Sequence, residues 1–141
     1  MTTAIDRDQL TLSFNRYLPA PCEDAFEAWT DPEQLAEWWD PTGARLTRCE
    51  VDLRVGGAFV FENEGHSHPF TGTYRVVERP AKLVFDAMGA VGTVLLQAEG
   101  DGTRMLVTIR CASAEHLEQF VALGVGENTE RTLDNLVAHL R

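Results

Sequence analysis

Apolar and polar residues alternate near the start of the chain. Between Gln9 and Leu18, Leu10, Leu12 and Phe14 fall on one side and Thr11, Ser13 and Asn15 on the other. A period of two predicts a half-buried strand, and Pro19 and Pro21 end it. The period then lengthens. Cys22, Ala25, Phe26 and Trp29 recur at helical spacing and predict a short amphipathic helix. Thr30-Asp31-Pro32 reads as a stop and a restart, because Asp can cap a helix and Pro suits its first position. The second helix runs from Pro32 to about Trp39 and ends at Asp40-Pro41-Thr42-Gly43. Its last turn carries two adjacent tryptophans. Successive helical side chains diverge by about 100°, so both rings cannot face one core. Trp38 is expected to pack on the sheet with Leu35. Trp39 is expected to turn toward the opening between the helix pair and the terminal helix.

The middle of the chain returns to a period of two. Arg45 to Leu53 alternates, with Cys49, Val51 and Leu53 on one side. After the turn Val55-Gly56-Gly57, Ala58 to Glu64 puts Phe59 and Phe61 on one face. Gly65 to Pro69 reads as a loop. Phe70 to Glu78 is a strand ended by Arg79-Pro80, and Lys82 to Met88 is another. Val91 to Glu99 and Thr103 to Cys111 form a hairpin around Gly100-Asp101-Gly102, the strongest turn signal in the chain. The segment from Ser113 to Arg141 is helical, with Ser113 in a cap position. Leu117, Phe120, Val121 and Gly124 share one face, and Leu133, Leu136, Val137 and Leu140 another, about 120° round the axis. One straight helix cannot bury both stripes against one surface. A break is predicted at Gly124-Val125-Gly126.

Composition narrows the function. The 141 residues suit one domain, 1–141, able to bury a core without staples. Twelve basic against 22 acidic residues leave a net charge of −10. That argues against nucleic acid and anionic membrane as partners, since each needs a basic face. The seven carboxylates between Cys22 and Asp40 read as a solvated helical face, or as a docking face for a basic protein. Three cysteines without a C-x-x-C pair suit buried thiols in a reducing compartment. The N-terminus carries no export signal, so a cytoplasmic location is expected.

One strand, two short helices, six meander strands and a terminal helix make an α+β pattern. A curved antiparallel sheet of about six or seven strands would wrap a long C-terminal helix, leaving a cavity between them. "PCEDAFEAWTDPEQLAEWWDP", "VDLRVGGAFVFE", "FTGTYRVVERPAKLVFDA" and "GVGENTERTLDNLVAHL" carry a resemblance over roughly residues 9 to 140. On these stretches the chain resembles the START-like (SRPBCC) superfamily with its helix-grip fold. Within it, the chain looks most like the heat-shock-protein-90 ATPase activator homologue family. The family often has Gly-Trp in the last helix, where this chain reads Gly126-Glu127. The resemblance implies a stand-alone ligand-binding domain without a cofactor, and a chaperone as a conceivable partner.

Candidate chemistry is sparse. Phe59, Phe61, Phe70, Tyr74 and Phe85 share the parity that would floor a pocket, and Trp39 and Phe120 would stand at its sides. Asn128 and Thr132, on the face of Leu117 and Val121, could orient a ligand by hydrogen bonds. A small hydrophobic or lipid-like ligand is the leading expectation. A cyclase- or hydrolase-type enzyme is the alternative, with Glu62, His68 and Tyr74 as its candidate titratable groups. A co-chaperone-like module using the acidic helix pair is the third reading. His66 and His68 with Glu62 and Glu64 could meet a zinc-like ion, but spacing fixes no third ligand, so no metal site is assigned. Exposed edge strands could pair two copies into a homodimer.

Overall fold

The computed structural model describes residues 3–63 and 68–141. Eight strands form one antiparallel sheet in the order β1-β2-β8-β7-β6-β5-β4-β3. They are β1 (Ala4–Asp6), β2 (Thr11–Leu18), β3 (Arg48–Val51), β4 (Ala58–Glu62), β5 (Phe70–Glu78), β6 (Lys82–Ala87), β7 (Ala90–Glu99) and β8 (Gly102–Arg110). The helix pair α1 (Cys22–Thr30) and α2 (Pro32–Trp38) follows β2, and α3 (Ala114–Ala122) and α4 (Val125–His139) close the chain. The order of elements and the sheet with its C-terminal helix are those expected of a helix-grip fold.

Among the described residues the count is eight strands, not the six or seven expected. The additional strand, β1, has three residues, all exposed, too few to write an alternation. Leu10 does not extend β2, because it sits at φ 61 in the turn before it. β3 is also shorter than Arg45 to Leu53. The Leu46 N–H donates to Ala36 O at 2.8 Å, so this residue is tied to α2 and buried rather than laddered into the sheet.

Local chemistry explains the boundaries. Asp31 caps α2 by accepting from Glu33 N at 3.1 Å, with Pro32 next in the first turn. Ser113 caps α3 by accepting from His116 N at 3.1 Å. The predicted break is real: Gly124 stands between α3 and α4 at φ 74, a conformation that favours glycine. Met88-Gly89 makes the two-residue turn between β6 and β7, both at positive φ as a type I′ hairpin requires. The strand read as Lys82 to Met88 therefore stops at Ala87.

The core lies between the concave sheet face and the helices. Leu12, Phe14 and Leu18 of β2, Phe26 of α1, Trp38 of α2 and Leu133 and Leu136 of α4 are among its buried residues. Arg16 shares the inward parity of β2 and is only 6% exposed. Its guanidinium reaches Glu130 Oε1 and Asp134 Oδ1, each at 2.6 Å, and clips α4 to the sheet. Of the three cysteines only Cys111 is buried; Cys22 and Cys49 are half-buried, and all three are free thiols.

Candidate functional site

Between α4 and the sheet lies a cavity of about 430 Å³. Its floor comes from the inward positions of the central strands: Phe85 and Ala87 of β6, Ala90 and Gly92 of β7, Val107 and Ile109 of β8. Phe120 of α3 and Val125, Asn128, Thr129, Thr132 and Leu133 of α4 form one wall. The opposite end is aromatic and polar, built by Trp29, Trp39, Asp40, Phe61, Asn63 and Phe70. Met88, on the β6–β7 turn, is 61% exposed at the cavity's edge.

Gly92 is needed for this floor. It pairs with Phe85 across the β6–β7 ladder, and the Phe85 ring lies over it. A Cβ at Gly92 would stand 2.6 Å from that ring. Glycine therefore lets the ring lie close to the sheet and keeps the space above it open.

The tryptophan pair divides as its helical spacing requires. Trp38 is 1% exposed, and its Nε1 donates to Ala28 O at 3.0 Å within the helix pair. Trp39 is half-buried, lines the cavity, and touches Phe61 and Phe70 with ring centroids 4.9 and 5.3 Å away. The helix C-terminus would leave carbonyls unpaired, and α4 supplies the donors. Thr132 Oγ1 donates to Trp39 O at 3.1 Å, and Asn135 Nδ2 to Asp40 O at 2.9 Å. The carboxyl of Asp40 is buried in the same wall. Its Oδ1 accepts from Thr42 N at 2.8 Å and Thr42 Oγ1 at 2.6 Å, and its Oδ2 accepts from Asn63 Nδ2.

Of the nine residues expected at a ligand site, Trp39, Phe61, Phe70, Phe85, Phe120, Asn128 and Thr132 line this cavity. Asn128 is exposed at its edge, and the Thr132 hydroxyl is engaged by Trp39. Phe59 and Tyr74 stand behind it in the aromatic core, 5.2 Å apart, around a separate space of about 10 Å³. The candidate acid/base groups do not converge. Glu62 and His68 are not among the lining residues, and His68 is exposed. Tyr74 is buried, which pushes its phenol well above the ordinary range, with the neighbouring Cys49 adding to this. Burial, with a smaller contribution from Asp31, pushes the Cys49 thiol up to about 11. His66 and Glu64 lie outside the described residues. Among the described residues no group of three His, Cys, Asp or Glu is placed to hold a metal ion.

Sequence reasoning missed Asp40, Asn63, Thr129, Val125 and Gly92. Asp40 reads as a helix stop and Gly92 as an ordinary strand residue. Only the curvature of the sheet brings them to one space.

An antiparallel sheet gripping a C-terminal helix around an internal cavity defines a START-like, helix-grip protein. Residues 19–141 match the family described as Activator of Hsp90 ATPase homolog 1-like protein, and the chain belongs to that family. Among solved structures it is similar to protein Ms6760 from Mycobacterium smegmatis (23% identity, 98% of this chain and 95% of that one, TM-score 0.85). Protein NE0264 from Nitrosomonas europaea is comparable (24% identity, 94% of each chain, TM-score 0.85). The AHSA1-like protein from Aeromonas hydrophila is 27% identical over 92% of this chain and 90% of its own, with a TM-score of 0.76. Similarity at this level speaks to the fold. A search of curated proteins returns no match. Among the described residues no helix is long and apolar enough to cross a membrane.

Proposed function

We propose that this protein binds a small hydrophobic ligand in the cavity between α4 and the sheet. The observation that carries the reading is the cavity itself, about 430 Å³ and lined chiefly by aromatic and aliphatic side chains. That volume falls in the range of small-molecule sites, which pair apolar walls with a few placed polar groups. The family supports a cavity-bearing fold of this kind. A ligand would lie on Phe85, Gly92 and Ile109, with its polar end toward Asp40 and Asn63. The enzymatic alternative has less support, since Glu62, His68 and Tyr74 do not meet at the cavity.

The test is titration with N-phenyl-1-naphthylamine, a neutral apolar fluorophore. Saturable binding with one site per chain, and loss of that binding in a folded Ile109→Trp variant that fills the cavity, is the expected result. Fluorescence that never saturates, or that survives the filling substitution, removes the proposal.

A further inference from the structure

The β6–β7 turn carries an unexpected residue. The first central position of a type I′ turn favours Asn, Asp or Gly, which tolerate positive φ. Here it is Met88, at φ 54. A larger side chain in the left-handed region crowds the following carbonyl, so this residue destabilises the turn it occupies. Leu10 also has a positive φ, at 61, but its side chain packs against the core, which offsets the strain. Met88 gains no comparable burial, being 61% exposed. It nevertheless borders the interior, since it lines the cavity together with its turn neighbours Ala87 and Ala90. Packing within the chain explains neither the strained backbone nor the exposed apolar side chain.

We infer that Met88 is a ligand-contacting residue: its side chain folds inward across the cavity mouth and packs its thioether against an apolar ligand. This rests on the cavity reading above and sharpens it. The turn backbone is held while the side chain is free. Ala87 pairs with Ala90 at the end of the ladder. Gly89 lies against the His116 ring, where a Cβ would stand 3.5 Å from Cε1. His116 in turn packs on Phe120 of the cavity wall, 4.5 Å between ring centroids. An exposed, unbranched side chain changes rotamer within nanoseconds. A thioether also adapts to irregular apolar shapes and to ring edges. Covering it with a ligand removes apolar surface from water, and that gain offsets a strain that burial in the core offsets at Leu10. Strained residues gather at ligand clamps for this reason.

The experiment follows N-phenyl-1-naphthylamine binding to the native chain and to Met88→Asn, Met88→Leu and Ile109→Trp. Asn relaxes the turn but removes the thioether. It should raise the Tm by about 2–4 °C and weaken the probe's Kd at least about fivefold. Leu keeps the apolar bulk and should bind within about twofold of the native chain. A second readout is one that a merely structural role would not move. In protein isotope-labelled at its methionine methyl groups, the Met88 signal is assigned by its absence from Met88→Leu. That signal should shift as the probe saturates, because an aromatic ring comes to lie against it. Unchanged binding by Met88→Asn, a lower Tm for that variant, or a Met88 methyl signal that does not move each overturns the inference. Loss of binding in Ile109→Trp alone then leaves the cavity reading standing. Absence of saturable binding to the native chain overturns both.

Discussion

Replacing Arg16 with methionine should loosen the helix on which the cavity depends. Arg16 projects from the apolar face of β2, and its side chain is 7% exposed. It donates to Glu130 Oε1 at 2.6 Å, to Glu130 O at 3.2 Å and to Asp134 Oδ1 at 2.6 Å. The two arms differ in worth. Asp134 is 68% exposed, so that pair is screened and contributes about 0–1 kcal/mol. The Glu130 side chain is 16% exposed, and charge-assisted bonds there contribute about 1.5–3 kcal/mol. Desolvation of the guanidinium opposes both, and its Nε is buried without a hydrogen-bond partner among the described residues. A net loss of about 2–3 kcal/mol follows, or a Tm lower by about 8–12 °C in a chain of this size. Most of it reflects the largely buried Glu130 carboxylate left without its cation, with the Thr3 hydroxyl still donating to its Oε2 at 3.2 Å. Adding Glu130→Gln removes that charge, so the double variant should be less destabilised than the sum of the singles by about 1–2 kcal/mol. Urea unfolding of the four proteins measures this cycle. A loss below about 0.5 kcal/mol for Arg16→Met, or strict additivity, would refute the clip as a determinant of α4 docking.

Three further outcomes are expected. Gly92→Ala drives a Cβ against the Phe85 ring and should cost about 1–3 kcal/mol while weakening probe binding, both read in one thermal-shift titration. Gly124→Ala forces a side chain into the left-handed conformation at the α3–α4 junction and should cost about 1–2 kcal/mol by denaturant unfolding. The Cys49 thiol, raised from 9.0 to about 11, should resist maleimide at neutral pH in the folded chain and react freely in urea. The same shift sets a sign. The unfolded thiol ionises first, so this contribution to stability is intact below about pH 9 and lost as pH rises through about 11. Urea midpoints across that window, compared with Cys49→Ser, would show it.

The sequence by itself determined the elements and their order. Period and punctuation are local properties of the chain, and they located both short helices, the Gly100–Gly102 hairpin and the break at Gly124. The angle between successive helical residues was enough to separate Trp38 from Trp39. Where local signals failed, they were short or overridden. The exposed β1 is too brief to show a pattern, and Leu46 took its hydrogen bond from α2 instead of a strand neighbour.

Tertiary structure alone decided the rest. Parity says which face of a strand points inward, but not whether another side chain or open space lies above it. That is why Phe59 and Tyr74, with the same parity as Phe61 and Phe85, ended in the aromatic core behind the cavity while the others border it. It is also why Arg16, a charge on an apolar face, reads as an anomaly until α4 brings Glu130 and Asp134 to it from more than a hundred positions away. The cavity itself is the furthest such case. Asp40, Asn63, Phe61 and Phe70 come from three separate stretches of chain, and sheet curvature, which no local pattern encodes, places them around one volume.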